Sequence, residues 1–242
     1  MAATYYPNED TNLNIARGLV KGTKHIHKFG AVPAMSQSQY GTVWDINDTL
    51  YPWSAFSTAN TVVVTANTAD NGKSLVIVGL DNNYNELQET ITISSGTATT
   101  TNSFKRVFRA FATNGSATNA NTIDFAVNSQ TVARILAGKG QTLMAVYTIP
   151  AGYNGYLMHG VMTAQASADG TGDMLVRYGG QESFRVGHSF EVSGSGGQYD
   201  YTFNIPLQIP EKSDIDVRVT TRTNNGRYTS AFDLVLIKTG LA

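Results

Sequence analysis

His25 and His27 stand two residues apart, so on a strand both imidazoles face one side, a spacing that can ligate a metal. A third ligand is wanting: His159 and His188 fall in what reads as a different domain. With Lys24 and Lys28 on either side, the pair reads as part of an arm, and no metal site is expected. Glu182, Glu191 and Asp200 lie on predicted strands and would make a glycosidase acid and nucleophile if they converged. Nothing in their spacing brings them together, and acids on strands also guard sheet edges. Ser189, beside His188, sits in no nucleophile elbow. The run DNNYNE from Asp81 to Glu86 has alternating oxygen ligands, but lacks the glycine and the bidentate acid of a calcium loop and reads as a turn. GKGQT, from Gly138 to Thr142, lacks phosphate-loop spacing and reads as a linker. Tyr153, Tyr156, Tyr199 and Tyr201 with Trp44 and Trp53 would suit a sugar-stacking platform. Core and subunit interface are their commoner places.

The composition agrees with this poverty of chemistry. Charged residues make up 14% of the 242, Cys is absent, and there are 4 His. A net charge of −1 offers no basic field for nucleic acid and no polybasic stretch for anionic lipid. Without Cys there are no disulfides and no thiolate chemistry. No apolar run approaches the roughly 20 residues of a membrane-crossing helix. The first ten residues do not follow a secretory-signal pattern. The expectation is a soluble, non-enzymatic protein with no cofactor, no nucleic-acid partner and no membrane partner.

Three zones position these residues. Residues 1–59 keep no period, hold one helical turn near 13–19, and carry both Trp residues with Pro33 and Pro52. They read as an extended, aromatic-rich arm that lies across a neighbour. Residues 60–137 read as a small Ig-like β-sandwich, with strands at 61–65, 74–78, 88–93, 104–111, 123–127 and 132–136 and turns at Asp70-Asn71-Gly72 and 81–85. Residues 138–242 read as a jelly-roll-like sandwich, with strands at 143–149, 156–164, 174–178, 184–192, 199–205, 215–221 and 232–237. Tyr199, Tyr201, Phe203 and Ile205 share one face, and Ile215, Val217 and Val219 oppose Asp214, Asp216 and Arg218, as half-buried antiparallel strands require. The fold class expected is all-β: an arm, then two antiparallel sandwiches.

Four segments carry a family resemblance: HIHKFGAVPAM (25–35), GTVWDINDTLYPW (41–53), NSFKRVFRA (102–110) and GKGQTLMAVYTIPAG (138–152). Together they resemble structural proteins of tailed-phage virions, common in marine and cyanobacterial phages. The resemblance implies location in the virion and brings no active-site residues with it. It implies a capsid decoration, neck or fibre-base component assembled as a homo-oligomer, a trimer being favoured, in contact with capsid, neck or tail proteins. On this reading Tyr5, Tyr6, Phe29, Trp44, Tyr51 and Trp53 are the arm's assembly anchors, since buried aromatics dominate interfaces. The alternative is a tail module that binds a host-surface glycan or receptor.

Overall fold

Runs of β-branched and aromatic residues alternating with small polar ones favour pleated, half-covered backbone, and strands are the dominant element of the chain. The computed structural model describes residues 10–113, 118–165, 167–179, 181, 183–194 and 197–240. In order they form α1 (Thr11–Ala16), β1 (Thr23–Met35), β2 (Tyr40–Thr42), β3 (Val63–Thr65), β4 (Ser74–Leu80), β5 (Glu86–Thr92), β6 (Thr97–Thr99), β7 (Arg106–Ala112) and β8 (Ile123–Val127). Then come β9 (Gln130–Ile135), β10 (Val146–Thr148), β11 (Tyr153–Ala164), β12 (Gly170–Arg177), β13 (Arg185–Val192), β14 (Gln198–Ile209), β15 (Asp214–Thr221) and β16 (Gly226–Lys238). Asp10 caps α1 by accepting from the Asn12 amide at 2.9 Å, and Gly18, at φ +71°, follows its end.

One sheet has the order β1-β16-β11-β14, and a second has β10-β15-β12-β13 with β2 also on β15. The two short strands β2 and β10 are halves of a single strand. Along β15, Tyr40, Gly41 and Thr42 pair with Thr220, Val219 and Arg218, while Val146, Tyr147 and Thr148 pair with Asp216, Ile215 and Asp214. Between the halves the Val43 amide donates to the Val217 carbonyl at 2.8 Å, and the Val217 amide donates to the Ala145 carbonyl at 3.2 Å. Counted this way, the sheets run 1-8-3-6 and 2-7-4-5 in chain order, the double-wound order of a jelly roll. Gly30 of β1 passes directly over the break: a Cβ there would sit 2.2 Å from the Val43 carbonyl oxygen and 2.3 Å from the Ala145 nitrogen.

The middle of the chain is inserted at that break. Its strands form a second sandwich, β6-β3-β8-β9 against β5-β4-β7. The order departs from the expected Ig-like one, in which the second and third strands lie in different sheets. Here β4 and β5 pair from Leu80↔Glu86 onward. The Asp81 carboxylate closes their turn by accepting from the Asn83 and Asn85 amides, both at 2.8 Å, so too little chain remains to cross to the other sheet.

The expected arm is also corrected. Residues 23–35 pair with β16 along nearly its whole length as the edge strand of the first sheet, and 40–42 are part of the second sheet. Instead of arm, sandwich and sandwich in series, the chain is a jelly roll begun by its N-terminal strands, interrupted, and completed by its C-terminal ones. A single buried cluster runs through both sandwiches.

Candidate functional site

Two buried carboxylates with their arginine and hydroxyl partners sit at the junction of the two sandwiches. Alternation predicts that the acidic face of β15 meets water, yet Asp214 is 2% exposed and Asp216 fully buried, because the insert and residues 42–56 cover that face. Arg106 of the insert donates to Asp214 through Nε at 2.8 Å and Nη2 at 3.0 Å. Arg177 donates to the same carboxylate at 3.0 and 2.5 Å, and the Thr148 hydroxyl at 2.6 Å. Asp216 accepts from Thr42 Oγ1 at 2.9 Å, Trp53 Nε1 at 2.9 Å and Arg218 Nε at 2.8 Å. Burial pushes the Asp216 carboxyl up, and Arg218 with its hydrogen bonds opposes that.

The proposed anchors lie in this seam. Trp44 and Tyr51 are each 2% exposed and Trp53 9%, so their rings have little area to offer a neighbouring subunit. They pack edge to face, Tyr51 at 5.3 Å from Trp44 and 4.6 Å from Trp53, and the Tyr51 hydroxyl donates to the Val107 carbonyl at 2.5 Å. Their work is internal: they fasten the insert to the jelly roll. Phe29 is half-buried on β1, and Tyr5 and Tyr6 lie outside the described residues.

Three of the four histidines converge where the sequence keeps them apart. Asp233 stands opposite His27 on one side and His159 on the other. The His27 and His25 rings lie 2.7 and 3.1 Å from Asp233 Oδ1, His159 Nδ1 lies 3.4 Å from Oδ2, and His159 Nε2 lies 3.0 Å from Asp200. Burial raises the Asp233 carboxyl, but the hydrogen bonds and charges of His27 and His25 hold it below its ordinary value. The imidazoles are turned onto carboxylates, and among the described residues no group of three ligands is arranged for a metal.

Beside this row, between β1 and the insert, opens a cleft of about 520 Å³. Phe29, Phe108, Phe111 and Tyr147 line it with Lys28 and Arg109. Lys28 is buried, at 7% exposure, and donates to the Phe108 carbonyl at 2.5 Å. Burial pushes its ammonium down to about 7, and the like charge of Arg109 adds to the effect. No sequence pattern marks this lysine: it precedes Phe29 in a segment without period, and its burial depends on the insert.

Asp45 straps the neck of the insertion, accepting from the Leu143 amide through Oδ2 at 2.6 Å, while Oδ1 has no hydrogen-bond partner among the described residues. Burial raises its carboxyl to about 7, against the Leu143 hydrogen bond. Between the ordinary value near 4 and about 7, the folded chain therefore binds a proton that the unfolded chain releases, and stability falls as pH rises. Relative to wild type, Asp45→Asn is expected to gain stability across that window, by at most about 1.4 kcal/mol per pH unit, and to hold the gain above it. Urea unfolding of both proteins at pH 4, 5.5, 7 and 8 checks this; a pH-independent difference would refute it.

The remaining candidates disperse. Glu191 pairs with Arg222 and Asp200 with His159, on different sheets, and Glu182 lies outside the described residues. Tyr199 and Tyr201 stack at 6.4 Å on β14, but the buried Trp44 and Trp53 cannot join them in a platform. At this edge Tyr199, Phe203 and Phe190 pack partly onto the core, while three apolar side chains stay exposed: Tyr201 at 40%, Val186 at 58% and Ile205 at 86%.

No family model matches the chain, and no curated protein does. Among solved structures it is similar to the naturally occurring empty particles of cowpea mosaic virus, at 8% identity over 76% of this chain and 83% of that one, with a TM-score of 0.24. It is similar to the infectious bursal disease virus Gx strain at 11% over 91% and 73%, TM-score 0.25. A third is the cysteine protease and lectin-like domains of Cwp84, a surface-layer-associated protein of Clostridium difficile, at 12% over 69% and 52%, TM-score 0.22. Scores of this size carry no argument about function. The jelly roll rests on the strand order itself, and the class the fold defines is an all-β, doubly sandwiched chain.

Proposed function

We propose that this chain is a non-enzymatic structural subunit of a tailed-phage virion, a capsid decoration, head-associated or neck component that assembles with copies of itself. The observation that supports it most is the union of a jelly roll, a fold used for capsid and lectin domains, with an uncovered apolar edge. Val186, Tyr201 and Ile205 present on β13 and β14 the kind of surface that soluble monomers keep covered. With the aromatic seam turned inward, assembly contacts fall to this edge. Lateral pairing there gives a closed homo-oligomer, with a trimer favoured.

Cryo-electron microscopy of the particle tests the reading. Copies over the shell make it a decoration protein, and rings at the neck make it a neck protein. Absence from the particle overturns the assignment. The second reading, a tail module that binds a host glycan or receptor, draws on the rings gathered at the same edge, where His188 lies 4.7 Å from Tyr201 and 5.7 Å from Phe203. Copies confined to tail fibres, with cell binding abolished in Tyr201→Ala, would favour it.

A further inference from the structure

The cleft at β1 has the size of a small-molecule site, which typically spans roughly 300–1,000 Å³. Its walls are mostly apolar: the rings of Phe29, Phe108 and Phe111, with Val78 and Leu87. The charges around it do not balance. On β1, Lys24 is paired with Glu86 of β5, which leaves that acid committed, and His25 and His27 are turned onto Asp233 of β16. Arg109 of β7 lies over the Phe111 ring at 4.9 Å and, among the described residues, its hydrogen-bond partner is Gln141, at 3.4 Å. Tyr147 of β10 completes the titratable groups of the wall. Lys28 has a carbonyl as its partner, and among the described residues no carboxylate pairs with it.

A lysine buried without a counter-ion carries a standing desolvation penalty. An anion entering the cleft relieves it, and an apolar body behind the anion fits the ring-lined walls. We propose that this cleft binds a small organic carboxylate with an aromatic or aliphatic body, its carboxylate paired to Lys28 and steered by Arg109 at the rim.

Because an anion favours the ammonium form, binding tightens as the pH falls from 8 to 6, and at pH 8 it draws a proton from solvent. The test is calorimetric titration of the full chain with 3-phenylpropionate and with its neutral twin, 3-phenylpropionamide, in two buffers of different ionisation heat. The acid is expected to bind with proton uptake at pH 8, and the amide to bind at least tenfold more weakly. Lys28→Met replaces the buried amine with an apolar chain of similar length and is expected to fold at least as well. It should lose at least tenfold in affinity together with the proton uptake, while Arg109→Gln loses only a few-fold. No binding of the acid, equal binding of acid and amide, or full affinity in Lys28→Met would each overturn the proposal. It is independent of the virion reading, which the particle images decide.

Discussion

Asp214→Ala is expected to destabilise the protein by about 3–5 kcal/mol, the usual effect of breaking a buried ion pair from one side. The substitution leaves two guanidiniums without their counter-ion, Arg106 at 7% side-chain exposure and Arg177 at 19%. It also strands the Thr148 hydroxyl. Arg106 belongs to the insert and Asp214 to the jelly roll, so the loss falls on the seam between them. Urea unfolding at pH 7, followed by tryptophan fluorescence because both Trp residues lie in that seam, measures it. A loss under 1 kcal/mol would mean that packing alone holds the sandwiches together.

Trp53→Ala is expected to lose a similar amount, about 3–5 kcal/mol, for another reason. The ring fills a space bounded by Tyr51, Phe184 and the guanidiniums of Arg106 and Arg177, which lie 5.6 and 5.3 Å from it. Its Nε1 is one of three donors to the buried Asp216. Trp53→Phe keeps much of the packing and forfeits that donor, so its loss should be about half as large. The measurement separates two views of this residue. An intersubunit anchor would leave the isolated chain as stable as before when truncated; a seam residue lowers the midpoint of unfolding. For the same reason, removal of residues 1–53 is no test of an arm, since it takes β1 and β2 out of both sheets.

Most strands from 60 onward were legible because each advertises itself locally; the short β6, Thr97–Thr99, with no large apolar residue, was not. The 123–127 run is β8 as its alternation predicts, and the Asp81 turn forms as its Asp and Asn residues dictate. Partners were not legible. Nothing near Gly41 says that it and Val146 complete one strand, because that fact is written in their shared neighbour β15 far along the chain. Residues 23–35 concealed a 13-residue strand because both its faces are partly covered, which erases the period of two, and Pro33 argued against it. The histidine cluster went unseen for the same cause: His27 and His159 meet only through Asp233 on the strand between them. Buried aspartates on β15 were read as solvent-facing since periodicity reports alternation and not what covers each side.

The interruption of the second jelly-roll strand has a consequence for how the molecule comes to be folded. The two halves must meet for β15 to gain a full partner, and closing a long flexible loop grows slowly more unfavourable with its length. An insert that has already collapsed brings its own ends together, as Leu143 and Asp45 do, so it hands the jelly roll a short, stiff loop in place of a long, floppy one. The inserted sandwich is then the natural first structure to form, and damage to its interior would delay a jelly roll whose own residues are untouched.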